Sequence, residues 1–471
     1  MSTTAIILIT LVVYKGLLIA IGVWASRRSR TEDDYLIGAR ALGPWVAGLS
    51  YAATSSSAWV LLGFSGFVFL VGVSALWMLP GVWGGYVLVW IIMGRSLRRE
   101  AAERGHVTLA DYLAGDAGEA GKRLIGLISA LLTVFCFIFY VAAQLQAAGT
   151  AMQTYFGLGV VEAVLLGTGV VLIYALLGGF WAISVTDMIQ GAVMAAIAIM
   201  APVAAVIAAG GPGVVFAMLA SDHAGHLDTF GGRVGYMAAG FALGLISIGL
   251  GTAGQPQLIA RVMAVRDDAA RRRAFAISLS WAVMVFSGMA ILGLAGRTMS
   301  LDLAPGDHEQ LLFVTIAQLF PPIMGGVVLA ALLSAVMSTV DSILLSSAAA
   351  ISHDARVARV FPGREVLIAR IVMAGLCVAA VCLALAAPSD IFTRVLFAWS
   401  ALGAAFGPII LARVLSWRAP APAVIAAMLG GFALSVYFNQ TDPGPGGLFE
   451  RLIPWTAPLI ILFASRRQSR S

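Results

Sequence analysis

The chain alternates long apolar runs with short polar ones, and the runs are too long for the helices of a water-soluble core. About 20 consecutive apolar residues cross a bilayer as a helix. On that measure thirteen spans are predicted: 4–25, 42–70, 73–94, 124–155, 159–179, 184–209, 234–256, 274–296, 322–352, 365–387, 391–413, 420–438 and 452–465. Two of them are interrupted by small and polar residues. The second contains AATSSSA (52–58), and the seventh contains GLGTAGQP (249–256), whose glycines and proline weaken the i to i−4 hydrogen-bond ladder. Five spans run from each interruption, spans 2–6 and 7–11, and the two sets enter the membrane from opposite sides. Interrupted helices at matching positions of oppositely oriented halves are the mark of a transporter built from inverted repeats.

A third departure lies in the ninth span, where AVMSTVDS (335–342) breaks an otherwise apolar run. Ala335, Ser338, Thr339 and Ser342 are spaced i, i+3, i+4, i+7 and share one helix face, with Asp341 on its flank. A charged side chain at the bilayer centre costs about 2.5–3.5 kcal/mol, so such a residue faces the bundle or an ion path. Hard cations take oxygen ligands. The face therefore reads as half of a cation site.

Composition supports the class: 60% of residues are hydrophobic, only 11% are charged, and the mean hydropathy is +0.95. The three cysteines all lie in apolar runs and imply no disulfide framework. The net charge of +6 could indicate a nucleic-acid partner, but most of the 29 Lys and Arg fall in alternate loops. They include Arg27, Arg28 and Arg30, then Arg95, Arg98 and Arg99, then Arg261, Arg266 and Arg271, and Arg356 and Arg413. Positive residues mark cytoplasmic loops, so the N-terminus is placed outside and the C-terminus inside. Lys15, within the first span, is expected to snorkel to the interface. The expected localisation is the inner (plasma) membrane, with multiple passes.

The stretches DDYLIGARALGPWVAGLSYAATSSSAW (33–59), WAISVTDMIQ (181–190), GQPQLIARVMA (254–264), LSAVMSTVDS (333–342) and AFGPII (405–410) resemble the sodium:solute symporter family, most closely its bacterial sodium/proline symporters. The resemblance implies an all-helical, leucine-transporter-like five-plus-five core in a single transporter domain. Residues 4–25 would be an extra N-terminal helix, 42–209 and 234–413 the two inverted repeats, and 420–465 two C-terminal helices. It implies sodium held by the carbonyls of Ala53, Ser56 and Ala335 and the hydroxyls of Ser338 and Thr339. Some relatives hold a second cation at positions matching Asp187, Asp341 and Ser342. Substrate-side positions match Ser55, Ser57, Trp59 and Tyr140. Gln144, one turn beyond Tyr140, can hydrogen-bond a carboxylate or amine, and Thr252, Gln255 and Pro256 supply the side of the seventh span.

The function implied is sodium-coupled uptake of a small organic solute, first of all proline or a related amino acid. Proline carriers carry an acidic residue where Ser55 stands, and aromatic residues where Ile248 and Thr252 stand. Proton-coupled or sodium-coupled uptake of a small carboxylate on the same fold is therefore the alternative. The sequence has no HExxH, no GxSxG and no metal-spaced Cys/His cluster, so it is not read as an enzyme. Na⁺ as coupling ion, the solute and the lipid bilayer are the expected partners, with no other cofactor, no nucleic acid and no obligate protein partner.

Overall fold

The computed structural model describes residues 3–26, 37–175, 180–222, 224–301, 303–304, 306–361, 364–387 and 390–466. Arg27, Arg28 and Arg30, and the DDYL that opens the first family-like stretch, lie outside them. Among the described residues the chain is all-helical, with no strand beyond one isolated pairing of Leu42 with Val265.

Among the described residues, eleven helices are long and apolar enough to cross a membrane. One of these, Pro44–Arg104, runs 61 residues, several times what the hydrocarbon requires at about 1.5 Å per residue. Its backbone leaves helical angles at Gly72 (φ 70°, ψ −145°), between the predicted spans 42–70 and 73–94. The fifth predicted span appears as the 16-residue helix Val160–Ala175, below the length of the eleven, and its remaining positions, 176–179, lie outside the described residues.

The elements that carry the argument are α1 (Thr3–Ser26), α2 (Pro44–Ala58), α3 (Met78–Val87), α4 (Glu119–Phe156), α5 (Phe180–Ala208), α6 (Gly235–Ile246), α7 (Pro256–Met263), α8 (Asp268–Arg297), α9 (Pro322–Ala349) and α10 (Ile391–Val414). Prolines at the first turn start α2, α7 and α9, where the missing N–H costs nothing and the fixed φ suits the helix. Helix α8 starts six residues before its apolar run, because the Asp267 carboxylate caps it by accepting from the Ala270 N–H (2.7 Å). A hydropathy reading sees the apolar stretch and misses the capped charged turn.

Burial sorts the bundle into centre and rim. In the apolar stretch of α10, 94% of residues are buried, and in α9 83%, against 17% in α1. α10 packs on the 3₁₀ segment Ser247–Gly254 that follows α6, and α9 packs on α2, α4 and α5. The interrupted elements thus sit against the most buried helices. The lead-in to α2 and the residues after α7 are tied by main-chain bonds, Leu42 N–H to Ala264 O (3.1 Å) and Arg266 N–H to Leu42 O (3.2 Å).

Candidate functional site

α2 is broken at one residue. Ser57 has φ 40° and ψ −166°, a region that residues bearing a Cβ avoid, and helix resumes at Ala58. Two bonds hold the resumed end. Ala58 N–H donates to Oε1 of Gln144 on α4 (3.2 Å), and Trp59 N–H donates to Ser57 Oγ (3.3 Å). A helix end in the bundle interior presents free N–H groups and a positive pole, while the carbonyls on the other side of the break lose their ladder partners.

α9 meets that break with the predicted face. Thr339 Oγ1 donates to the Thr54 carbonyl (3.2 Å), Thr54 Oγ1 donates to the Ser338 carbonyl (3.4 Å), and Ser338 Oγ donates to the Ala335 carbonyl (3.1 Å). All four residues are fully buried. Neutral oxygens from two helices therefore converge away from lipid. Ala53 packs against Gly191 of α5, and the buried Ser56 hydroxyl has no hydrogen-bond partner among the described residues. Thr54 lies inside the AATSSSA cluster, and nothing in its spacing sets it apart from its neighbours.

The three acidic-side positions take different hydrogen-bond partners, although Asp341 is within electrostatic reach of Asp187. Asp187 and Ser342 converge, but on Arg261 of α7 instead of on Asp341. The Arg261 guanidinium donates from Nη2 to Asp187 Oδ2 and to Ser342 Oγ, from Nε to Ser50 Oγ (2.6 Å each), and from Nη1 to the Gln257 carbonyl (2.7 Å). Ser50 and Thr54 also donate to Asp187 Oδ2 (3.0 and 3.1 Å). Arg261 is 1% exposed, so the arginine counted with the cytoplasmic loops is an interior ion-pair partner. A positive charge just past an apolar stretch scores as loop in any hydropathy count; only the fold turns it inward. Asp341 is buried with neither carboxylate oxygen hydrogen-bonded among the described residues. Lys15 of α1 is within its electrostatic reach and donates to Met337 Sδ (2.8 Å), so it points into the bundle instead of snorkelling.

The substrate-side positions divide as well. Trp59 is fully buried in an aromatic cage of Phe286, Phe392 and Trp399, at ring-centre distances of 5.5, 6.2 and 6.2 Å. Next to it, the Tyr140 hydroxyl faces Ser57 and Trp399, and the Gln144 Nε2 donor is unpartnered among the described residues. Ser57, Trp59, Tyr140 and Gln144 are thus brought together. Ser55 turns to Tyr86 of α3 (2.5 Å), and Thr252 is buried beside Gly85 of the same helix. Gln255 is spent on main chain, donating to the carbonyls of Gly251 (3.1 Å) and Trp399 (3.4 Å). Pro256 lines a separate cavity with Arg261 and Ser342. Trp399, Phe286 and Phe392 carried no sequence signal, because in an apolar span an aromatic residue is ordinarily packing.

A helical membrane bundle with a broken helix facing buried hydroxyls is the architecture of a membrane transporter. The similarities make the class specific. Residues 35–431 match the sodium:solute symporter family. The osmoregulated proline transporter OpuE of Bacillus subtilis is 32% identical over 481 residues, covering 99% of this chain and 96% of that protein. The sodium/proline symporter of Escherichia coli is 32% identical over 467 residues, covering 96% and 91%. Among solved structures, a Na⁺-coupled sialic acid symporter in a substrate-bound outward-open state aligns at TM-score 0.81 with 18% identity, covering 98% and 99% of the two chains. MHP1, a nucleobase-cation-symport-1 family transporter, aligns at TM-score 0.60 with 12% identity, covering 93% and 95%. The chain belongs to the sodium:solute symporter family, and it is a multi-pass inner-membrane protein and not an enzyme.

Proposed function

We propose that the protein carries a small carboxylate-bearing solute into the cell with sodium, and that proline or a related amino acid is the solute. One observation carries the reading: within one turn of its break at Ser57, α2 meets the hydroxyl face of α9, where Thr54 bonds the Thr339 hydroxyl and the Ser338 carbonyl. In this reading the carbonyls of Ala53, Ser56 and Ala335 and the hydroxyls of Ser338 and Thr339 ligate Na⁺, with Thr54 ordering the two helices around them. Neutral oxygens bind a monovalent ion without trapping it. The solute's carboxylate faces the helix start at Ala58 and the donors of Gln144, Tyr140 and Trp399, and its apolar part faces Trp59. A helix N-terminus favours a negative group, which supports a carboxylate pole. The alternative, a small carboxylate without an amine, is favoured by Ser55, whose hydroxyl is committed to Tyr86 and leaves no acid there to meet a cationic nitrogen.

The proposed topology is thirteen spans, N-terminus outside and C-terminus inside. Residues 42–209 and 234–413 are inverted repeats between an extra first helix and two final ones. Moving one charge inward at 100 mV is worth about 2.3 kcal/mol, and tenfold accumulation costs about 1.4, so one Na⁺ supports roughly fifty-fold accumulation of a zwitterion. The test is uptake of radiolabelled proline into proteoliposomes with and without a sodium gradient at fixed pH, with unlabelled amino acids and carboxylates as competitors. Sodium-stimulated uptake displaced by one solute class is expected. Uptake that follows a proton gradient and ignores sodium overturns the reading.

A further inference from the structure

Every nitrogen of the Arg261 guanidinium is committed to a hydrogen bond. Four hydrogen bonds tie its guanidinium to three other elements, at Ser50 of α2, Asp187 of α5 and Ser342 of α9, and to its own helix at Gln257. Asp187 is fully buried and Arg261 1% exposed. Burying a lone carboxylate is prohibitive, so Asp187 requires a cation, and the fold supplies a covalently attached one. Ser342 lies one helical turn past Ser338 on the same face of α9, and its hydroxyl donates to the Ser338 carbonyl (2.8 Å). The guanidinium thus stands next to the proposed sodium ligands. Arg261 and Ser342 also line a cavity reaching Thr108, Pro256 and Asp354, which Thr54, Ser338 and Thr339 do not line. The arginine lies between the oxygen face and that cavity.

We propose that Arg261 is a tethered cation that takes the place of a second sodium ion at Asp187, so that this protein binds one Na⁺ per cycle. The inference rests on the sodium site proposed above and assigns its stoichiometry. Asp187 keeps one oxygen, Oδ1, outside the network. An ion there would stand beside the guanidinium in a dry interior, where like charges repel strongly. Arg261 is a positioning residue: it touches neither solute nor ion, and acts by neutralising Asp187 and holding Ser342 and Ser50 across the three helices.

The test counts ions directly and needs no solute. Equilibrium binding of ²²Na⁺ to the purified full-length protein in nanodiscs is measured for wild type, Arg261→Lys, Arg261→Gln, and the double variant Arg261→Gln/Asp187→Asn. One saturable site is expected for wild type and for Arg261→Lys, which keeps the charge. Two are expected for Arg261→Gln, which bares Asp187, and one again for the double variant. A purely structural role predicts that Lys and Gln weaken binding alike without changing the count, and that result overturns the proposal. Two sites in wild type also overturn it, and this measurement stands even if Arg261→Gln fails to fold. A Ser338→Ala/Thr339→Ala variant run alongside separates the two readings. If it still binds one ion as wild type does, the sodium site is misplaced and both readings fall. If it loses that ion while wild type holds two, only the tethered-cation proposal falls.

Discussion

Replacing Thr339 by valine removes one hydroxyl and leaves the side-chain volume nearly unchanged. The oxygen is fully buried and its recorded bond is a donation to the Thr54 carbonyl (3.2 Å). If the group serves only to join α2 to α9, its loss costs about 1 kcal/mol of stability, the usual net worth of a neutral buried hydrogen bond. Sodium affinity would then move little. If it is an ion ligand, the lost contact resembles a hydrogen bond to a charged group, about 1.5–3 kcal/mol. At 1.4 kcal/mol per tenfold, that raises the half-saturating sodium concentration by roughly 10- to 150-fold. The assay is the initial rate of proline uptake into proteoliposomes against sodium concentration, with the melting temperature of each variant measured in parallel. Thr339→Ser, which retains the oxygen, should stay within about threefold of wild type while Thr339→Val shifts. A valine variant that melts lower yet keeps the wild-type sodium dependence refutes the ligand assignment.

Ser57 holds a conformation that costs of order 1–3 kcal/mol for a residue with a Cβ, so Ser57→Gly should be tolerated in thermal melts and Ser57→Val should be strongly destabilising. A Cβ on Gly254 would lie 2.1 Å from the Leu402 carbonyl oxygen, so Gly254→Ala should force the seventh-span break off α10 and cost about 1–3 kcal/mol, read as lost folded yield. Glu309, outside the spans, accepts from the Ile391 and Phe392 N–H groups (3.1 and 3.0 Å); burial nonetheless pushes its carboxyl up to about 7, the two N–H groups pulling the other way. A carboxyl raised on folding adds stability that is fully present below the unfolded value near 4.3 and lost as pH rises through about 7. The melting temperature should therefore fall between pH 5 and 8, and Glu309→Gln should flatten that slope.

Much of this protein could be read along the chain. Lipid imposes one rule, that backbone groups be satisfied within each segment, so apolar runs mark helices and breaks in them mark places facing protein or water. Ser57 lies inside the cluster AATSSSA, and Ser338 and Thr339 fall on a face set by helical periodicity alone. Local chemistry suffices for features of that kind. The helix starts were less legible, as at Asp267, because a cap works through hydrogen-bond geometry and not through hydropathy. What the sequence could not decide was partnership. Arg261 and Asp187 are 74 residues apart, Trp59 and Trp399 lie on α2's resumed helix and on α10, and Asp341 parts from Ser342 although they adjoin in the chain. Adjacent residues on a helix point about 100° apart, and a buried charge is made tolerable by whichever element packs against its own face. That choice belongs to the packing of α1, α5 and α7 around α9 and of α10 beside the resumed end of α2, which no single stretch of sequence contains.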